Sequence, residues 1–122
     1  MIFSKSIRDT YYVYMNTVRF ASVIALREDA IDEYERHHRD VWPDVLAAIS
    51  ESGIRNYSIY RYGTLLFSYY EYEGTDFERD IAAIDDVPAC IRWNELMSTL
   101  QVSVPEAKPR KWLPLPEVFH LD

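Results

Sequence analysis

The order of strand-like and helix-like segments is the feature that most constrains the fold of this chain. Residues 19–26 form a short apolar segment of the kind that becomes a buried strand. A helical pattern covers about residues 30–52, with Asp29 in position to cap its start and Gly53 to end it. Pro43 lacks the amide that a continuous helix needs, so we expect the helix axis to kink or restart there.

Two β-rich segments come next and are hinged at a glycine. Residues 55–62 and 64–73 are rich in aromatic and β-branched side chains, and Gly63 lies between them. We therefore expect an antiparallel hairpin. One face of its first strand carries Tyr57, Ile59 and Arg61.

The C-terminal half is expected to add two helices and a last strand. The first helix begins at Thr75 or Asp76 and ends near residue 84, and the second has Pro88 in its first turn. The inner stripe of this second helix is predicted to contain Cys90, Trp93, Met97 and Leu100. Prolines favour an extended segment over residues 102–116, and residues 117–121 have the pattern of a short final strand.

The resulting order is strand, helix, strand, strand, helix, strand, which is that of a ferredoxin-like, split βαβ fold. The sequence therefore predicts one α+β domain over residues 18–122, with an antiparallel sheet and helices on one face of it. The uncovered face would be rich in Tyr and Phe, which favours a homodimer or a covering C-terminal arm. Residues 1–17 are expected to form an N-terminal extension, either disordered or an added edge strand.

Size and charge exclude several functional classes. With 122 residues the chain has room for one domain and one core. A formal net charge of -7 repels phosphate backbones and anionic lipid, so we expect no nucleic-acid or membrane partner, and a neutral or cationic small molecule instead. The single cysteine, Cys90, cannot close an internal disulfide, and no apolar run approaches the roughly 20 residues of a membrane span. These features favour a cytoplasmic protein.

The predicted first helix carries an ionisable group inside an apolar stripe. Tyr34, His38 and Trp42 follow one another at four-residue spacing and fall within an arc of about 80° on the helix surface. An imidazole between a phenol and an indole can move protons near neutral pH, beside aromatic planes that can hold a small neutral molecule. The spacing therefore indicates an acid–base pocket, with His38 as the candidate catalytic residue.

Structural interpretations compete with this functional one. A single histidine on a core-facing stripe is often only a hydrogen-bonded core residue, and Trp42 is expected to support packing at the break rather than contact a ligand. His37 lies about 100° further around the helix, so we expect it at the rim or surface. Because adjacent histidines on a helix diverge and Cys90 lies on another helix, we expect no bound metal.

The chain resembles the L-rhamnose mutarotase family in several blocks of residues that occur in the family's order. The first block consists of Glu33, Tyr34, His38, Trp42 and Pro43. Further blocks are residues 56–60, 65–67, 90–93 and 117–119. The resemblance covers about residues 18–121, and several blocks in order are more specific than any one motif.

The resemblance implies a fold, an activity and a set of site residues. The family fold is a dimeric α+β barrel of ferredoxin-like subunits, and the family activity interconverts the α and β anomers of a 6-deoxy-hexose without metal or organic cofactor. Carried over to this chain, the resemblance makes His38 the proton donor. It places three residues in contact with the sugar, namely Tyr34, Tyr57 and Trp93. We therefore expect a small neutral sugar as substrate and no cofactor.

This chain departs from the family pattern at one site position. The pattern has two consecutive tryptophans, whereas here Trp93 is followed by Asn94. The exchange replaces a stacking plane by an amide donor and acceptor, so Asn94 is a candidate contact to the polar rim of the sugar. We expect L-rhamnose as the substrate, with L-fucose as the alternative within the family.

Two other functions are compatible with the same pattern. The dimeric α+β barrel also occurs in small cofactor-free oxygenases, and a fold alone does not define a reaction. A binding or assembly module, in which His38 is purely structural, is the second alternative. An oxygenase would consume dioxygen, a mutarotase would exchange the two anomers of a sugar, and an assembly module would do neither.

Overall fold

The computed structural model describes residues 17–122, so the expected N-terminal extension lies outside the described residues apart from residue 17. The strands are β1 (Val18–Leu26), β2 (Ile54–Tyr62), β3 (Leu65–Tyr72), β4 (Gln101–Val102) and β5 (Leu113–Leu115). The helices are α1 (Ile31–His38), α2 (Pro43–Glu51), α3 (Phe77–Asp85) and α4 (Pro88–Leu100), and 3-10 turns occupy Glu28–Ala30 and Pro105–Ala107. Between residues 17 and 122, no helix has both the length and the apolar character needed to cross a bilayer.

The strands form one antiparallel sheet. Their order is β2–β3–β1–β4, which is the ferredoxin-like order, and β5 pairs with β1 beside β4. β1 runs opposite β3 from the pair Val18 and Tyr72 to the pair Ala25 and Leu65. The predicted α+β fold class is therefore confirmed.

Alternation along the strands separates a buried sheet face from an outer one. Phe20, Ile24 and Leu66 project from the inner face of β1 and β3, are buried, and share one hydrophobic core with the helices. Val23 and Phe67, which oppose each other on the outer face, are only half-buried. The helices thus cover one face of the sheet, as predicted.

The two C-terminal helices begin where the sequence predicts. The Asp76 carboxylate caps α3 by accepting a hydrogen bond from the Arg79 amide at 3.2 Å, and Pro88 occupies the first turn of α4. The inner stripe of α4 is buried and contains Cys90, Trp93, Met97 and Leu100.

The hairpin of β2 and β3 is confirmed, and an irregularity in β2 positions its inner face. Gly63 lies in the turn at φ +60°. A β-bulge near the start of β2 places Asn56 at φ +50°, and the Asn56 amide donates to Glu71 at 2.8 Å. The extra residue places Tyr57 and Ile59 on the same face as Ile54, toward the helices.

The predicted helix over residues 30–52 is two helices. α1 ends at His38, and α2 begins at Pro43, where the missing amide is harmless in a first turn. Trp42 before it has extended backbone angles (φ -59°, ψ 134°), which residues before proline prefer. The expected restart at Pro43 is therefore confirmed, and Gly53 follows α2 at φ +97°.

The prediction that Asp29 caps the first helix is wrong. The capping position is Ala30, which makes no side-chain hydrogen bond, because a 3-10 turn precedes α1. The Ala30 amide donates to the Arg27 carbonyl at 3.0 Å within that turn. The Asp29 carboxylate accepts instead from Arg27 Nε at 3.0 Å, so it forms a surface ion pair.

The prediction of a final strand over residues 117–121 is also wrong. The last strand is β5, which lies earlier in the chain and contains Pro114. An edge strand tolerates proline because its outer amides need no partner. Beyond β5, the side chains of Val118, Phe119 and Leu121 are 92%, 79% and 79% exposed, so the C-terminal arm does not bury them against the sheet.

Candidate active site

A cavity of about 440 Å³ lies between the helices and the inner face of the sheet. Its volume falls within the range of roughly 300–1,000 Å³ that is usual for small-molecule sites. α1, α2, α4 and β2 supply most of the wall, and residues after α4 complete it. The aromatic and amide side chains of the wall include Tyr34, His38, Tyr57, Trp93, Asn94 and Trp112.

The five site residues predicted from the sequence all border this one cavity. They are His38, Tyr34, Tyr57, Trp93 and Asn94. Three separate elements, α1, β2 and α4, contribute them, so the fold is what brings them together. Their assignment to catalysis or binding stays a prediction.

The His38 imidazole is held by one hydrogen bond through Nδ1. Nδ1 lies 2.8 Å from the Tyr34 carbonyl oxygen. A carbonyl oxygen only accepts, so Nδ1 carries the proton and Nε2 of the neutral ring presents a lone pair. Nε2 has no hydrogen-bond partner within residues 17–122. His38 lines the cavity, and its neutral imidazole has a basic nitrogen that the described residues leave unpartnered.

The surroundings of His38 favour its neutral form. Burial lowers the pKa of His38, the hydrogen bond to the Tyr34 carbonyl partly offsets this change, and the neighbouring His37 lowers the pKa further. His38 is therefore mostly unprotonated near neutral pH.

Aromatic contacts restrict the orientation of this imidazole. The Tyr34 ring stacks on it with centroids 4.1 Å apart and 25° between the planes. Trp93 meets it edge-on at 5.3 Å and 70°, and Trp42 supports Trp93 at 5.1 Å. Because two rings and one hydrogen bond act on the same side chain, Nε2 is held in a defined position.

Tyr34 and Tyr57 present neutral phenols to the cavity. Burial raises the pKa of Tyr34 above its ordinary value, although a hydrogen bond with the Gln101 side chain acts in the opposite direction. Burial also raises the pKa of Tyr57, whose ring packs edge-on against Tyr70 at 5.7 Å. Neutral phenols donate and accept hydrogen bonds but are poor bases near neutral pH. Both tyrosines are thus suited to orienting a ligand.

Most of the charge at the cavity rim is paired. Arg61 Nε donates to Glu35 Oε2 at 2.5 Å, so this pair adds no net charge to the wall. Lys111 donates to the hydroxyl group of Ser98 on α4. A wall with one paired and one single cation fits a neutral polar ligand better than a highly charged one.

Two aromatic residues close to His38 lie outside the cavity wall. His37 Nε2 is 3.4 Å from Glu33 Oε2, and the His37 ring meets Trp93 edge-on at 6.3 Å. Trp42 packs on Trp93 and does not reach the cavity, in agreement with the packing role predicted for it.

Among residues 17–122, no three His, Cys, Asp or Glu side chains are grouped as metal ligands would be.

Several cavity residues after α4 are not indicated by any sequence pattern. Gln101 in β4 and the residues Lys111 and Trp112 before β5 border the cavity, yet no pattern marks Gln101 and residues 102–116 are predicted only as extended. An irregular segment has no periodicity, so nothing local tells which of its side chains point inward. The one available signal is that a large indole among prolines and charged residues is more often buried than exposed.

The chain is an α+β protein whose cavity is lined by one imidazole and several aromatic side chains. The sequence profile of the L-rhamnose mutarotase family matches residues 19–121. The chain therefore belongs to that family. One relative, named L-rhamnose mutarotase, from Ligilactobacillus salivarius (strain UCC118), is 38% identical over 112 residues, which cover 87% of this chain and 99% of the relative.

Solved structures share the fold. An L-rhamnose mutarotase from Formosa agariphila matches with a TM-score of 0.68 and 23% identity, over 86% of this chain and 99% of that one. A monooxygenase-type protein from Nitrosomonas europaea matches with a TM-score of 0.56 and 16% identity, over 85% of this chain and 92% of that one. The same fold thus occurs under two kinds of enzyme name, so function has to be argued from the site.

Proposed function

We propose that this chain is an isomerase that interconverts the α and β anomers of a 6-deoxy-hexose, with L-rhamnose as the substrate. The supporting observation is His38, a half-buried neutral imidazole whose Nε2 is unpartnered within the described residues and borders an aromatic cavity. Membership of the L-rhamnose mutarotase family and relatives of that name support the choice of reaction and sugar. The reaction type is that of an aldose 1-epimerase.

Mutarotation moves one proton between two oxygens of the sugar. A base removes the proton of the anomeric hydroxyl, the ring oxygen is protonated, and the bond between the anomeric carbon and the ring oxygen breaks. Rotation about C1–C2 and reclosure then give the other anomer. No bond to the protein forms and no electron is transferred, so positioned acid–base groups suffice, which typically supply about 10²- to 10⁴-fold acceleration.

One imidazole can carry out both proton transfers. Because His38 begins neutral, its Nε2 takes the proton of the anomeric hydroxyl and becomes an imidazolium. The imidazolium then gives a proton to the ring oxygen, which is bonded to the same carbon and so lies close by. His38 is therefore base first and proton donor second, and it returns to its starting form.

The other predicted site residues orient the sugar. Tyr34 stacks on the imidazole and holds Nδ1 through its carbonyl, so it positions Nε2. Tyr57 and Trp93 supply aromatic surface for the apolar C–H face of a pyranose, and Asn94 faces its hydroxyl groups. The apolar part of the wall suits the methyl group of a 6-deoxy sugar and includes Val45, Ile49, Leu66 and Met97.

We also propose a cytoplasmic homodimer joined through the outer face of the sheet. Tyr60 and Tyr62 on that face are 66% and 79% exposed, and Phe67 opposes Tyr60 across the strands. An apolar sheet face of this kind is costly to leave in water. A second copy would cover it with the same surface, as in other two-fold dimers.

Exchange between anomers, measured by NMR, tests the proposed function. Saturating one anomeric resonance of L-rhamnose transfers the saturation to the other anomer at the exchange rate. We expect the wild-type protein to accelerate this transfer and His38→Ala to lose about 10²-fold or more of the acceleration. His37→Ala is the matched control, since it removes the same side chain at a position outside the cavity wall, and it should retain most of the exchange.

The outcomes separate the alternatives. Faster exchange of L-fucose than of L-rhamnose would keep the reaction and correct the sugar. No acceleration with either sugar would refute the proposed function, and dioxygen consumption with an aromatic substrate would then favour an oxygenase. A folded His38→Ala variant with wild-type exchange would show that His38 is structural.

A further inference from the structure

Trp112 brings a second indole to the cavity from a segment that carries no assigned role. It borders the same cavity as His38, and only 4% of its surface is exposed. Leu113, the next residue, pairs with Val23 on the outer face of the sheet. Because side chains alternate along a strand, Trp112 points to the opposite face, toward the cavity.

The two cavity indoles have different neighbours. Trp93 is in ring contact with His37, His38 and Trp42, at centroid distances of 6.3, 5.3 and 5.1 Å. These contacts make Trp93 a support for the imidazole. Within residues 17–122, Trp112 has no aromatic ring contact, so its indole is not part of the ring cluster that supports the imidazole.

The indole N–H of Trp112 is a second feature that suits contact with a ligand. Buried tryptophans usually give their Nε1–H a hydrogen-bond partner. In the described part of the chain, Trp112 Nε1 has none, yet it is not among the fully buried side-chain polar atoms without a partner, which there comprise only Arg110 Nε. The Trp112 N–H therefore keeps some accessible surface, and the residue borders the cavity.

Anchors on both sides hold this indole in place. Immediately before it, Lys111 donates to the Ser98 hydroxyl on α4. Immediately after it, Leu113–Leu115 pairs with β1. A ring fixed in this way loses little conformational freedom when a ligand binds, which favours affinity.

We infer, on the basis of the proposed function, that Trp112 is a sugar-contacting residue that contributes to specificity. Its Nε1–H donates to a sugar hydroxyl, and the small part of the indole that borders the cavity contacts the sugar. Asn94 borders the same cavity and supplies an amide in place of a second indole on α4. The aromatic surface that α4 lacks at that position comes instead from the segment before β5.

Indole resonances of the protein test this assignment directly. The chain has three tryptophans, so a ¹⁵N-labelled sample shows three indole N–H peaks. Trp112→Phe removes and thereby identifies one of them. If Trp112→Phe does not fold, Trp42→Phe and Trp93→Phe identify the same peak by elimination. On titration of the wild-type protein with L-rhamnose, we expect the Trp112 peak to shift in a saturable way.

Kinetics of anomer exchange give an independent readout. Phenylalanine keeps an aromatic ring but has no N–H to donate, so loss of that hydrogen bond is expected to raise KM for Trp112→Phe by about 3- to 10-fold, with little change in kcat. Leu113→Ala is the matched control, because it weakens the same strand at a side chain that faces away from the cavity, and its KM should stay near that of the wild type.

The results distinguish this inference from the proposed function. If L-rhamnose shifts the Trp93 peak and leaves the Trp112 peak unmoved, Trp112 does not contact the sugar, although the reaction stands. If Trp112→Phe and Leu113→Ala raise KM equally, Trp112 acts only through strand packing. If no indole peak shifts and no exchange is accelerated, the proposed function fails and this assignment fails with it.

Discussion

The pH dependence of anomer exchange tests whether His38 begins the reaction as a base. Burial lowers the pKa of His38 from its ordinary value of 6.5. At pH 7.5 at least about 90% of the imidazole is then neutral. Because the working form at Nε2 is the neutral ring, the exchange rate should be level from about pH 7 to about pH 9 and fall about tenfold per pH unit below the pKa.

The assay is the enzyme-dependent part of kcat/KM for L-rhamnose between pH 5 and pH 9, measured by NMR saturation transfer. Acid and base in the buffer also open the sugar ring, so the rate without protein is subtracted at every pH. His37→Ala provides a control with a defined direction. Since His37 lowers the pKa of His38, its removal should move the inflection to higher pH without changing the level region.

Two profiles would refute this account. A rate that falls above pH 7 in proportion to the remaining imidazolium would mean that the charged ring is the working form and that proton donation comes first. A profile without any inflection, in a variant series where His38→Ala is inactive, would mean that ionisation of His38 does not limit the reaction. Either result would overturn the order of proton transfers derived from the Nδ1 hydrogen bond.

Two further predictions need no substrate. A Cβ at Gly74 would lie 2.2 Å from Tyr72 Oη and 2.7 Å from Asp80 Oδ2, so Gly74→Ala should lower the free energy of unfolding in urea by about 2–4 kcal/mol through overpacking and loss of the Tyr72–Asp80 hydrogen bond. An unchanged unfolding midpoint would contradict the close approach. Sedimentation should give twice the mass of one chain for the wild type and a lower mass for Phe67→Glu, which puts a charge on the outer face; a monomeric wild type would refute the dimer.

The parts of the fold that the sequence predicts are those with a regular buried face. β1 is predicted from its apolar run, the hairpin from two β-rich segments around Gly63, and α4 from an inner stripe that is buried as predicted. The wrong predictions concern element boundaries that depend on tertiary contacts rather than on the local sequence pattern. A 3-10 turn displaces the start of α1 from Asp29, and pairing with β1 places the last strand at Leu113–Leu115.

The same distinction applies to the residues of the candidate site: those on regular elements are predicted from the sequence, and those on the irregular segment are not. Tyr34 and His38 are found from their four-residue spacing, which puts both on one face of α1. Trp112 cannot be found this way, because its place in the wall follows from the register of β5 against β1. Sequence periodicity thus locates the residues of regular elements, and tertiary pairing adds those of the irregular segment.

The break between α1 and α2 connects the sequence to the proposed chemistry. Pro43 prevents one continuous helix, so α1 ends at His38 and the imidazole lies on a last turn with no further helix above it. Within the gap, Val41 borders the cavity and Trp42 packs on Trp93, which in turn contacts His38. A continuous helix would carry these side chains away from that arrangement. The helical hydrogen-bond pattern is therefore interrupted between His38 and Pro43. This break lies beside the cavity wall and next to the imidazole.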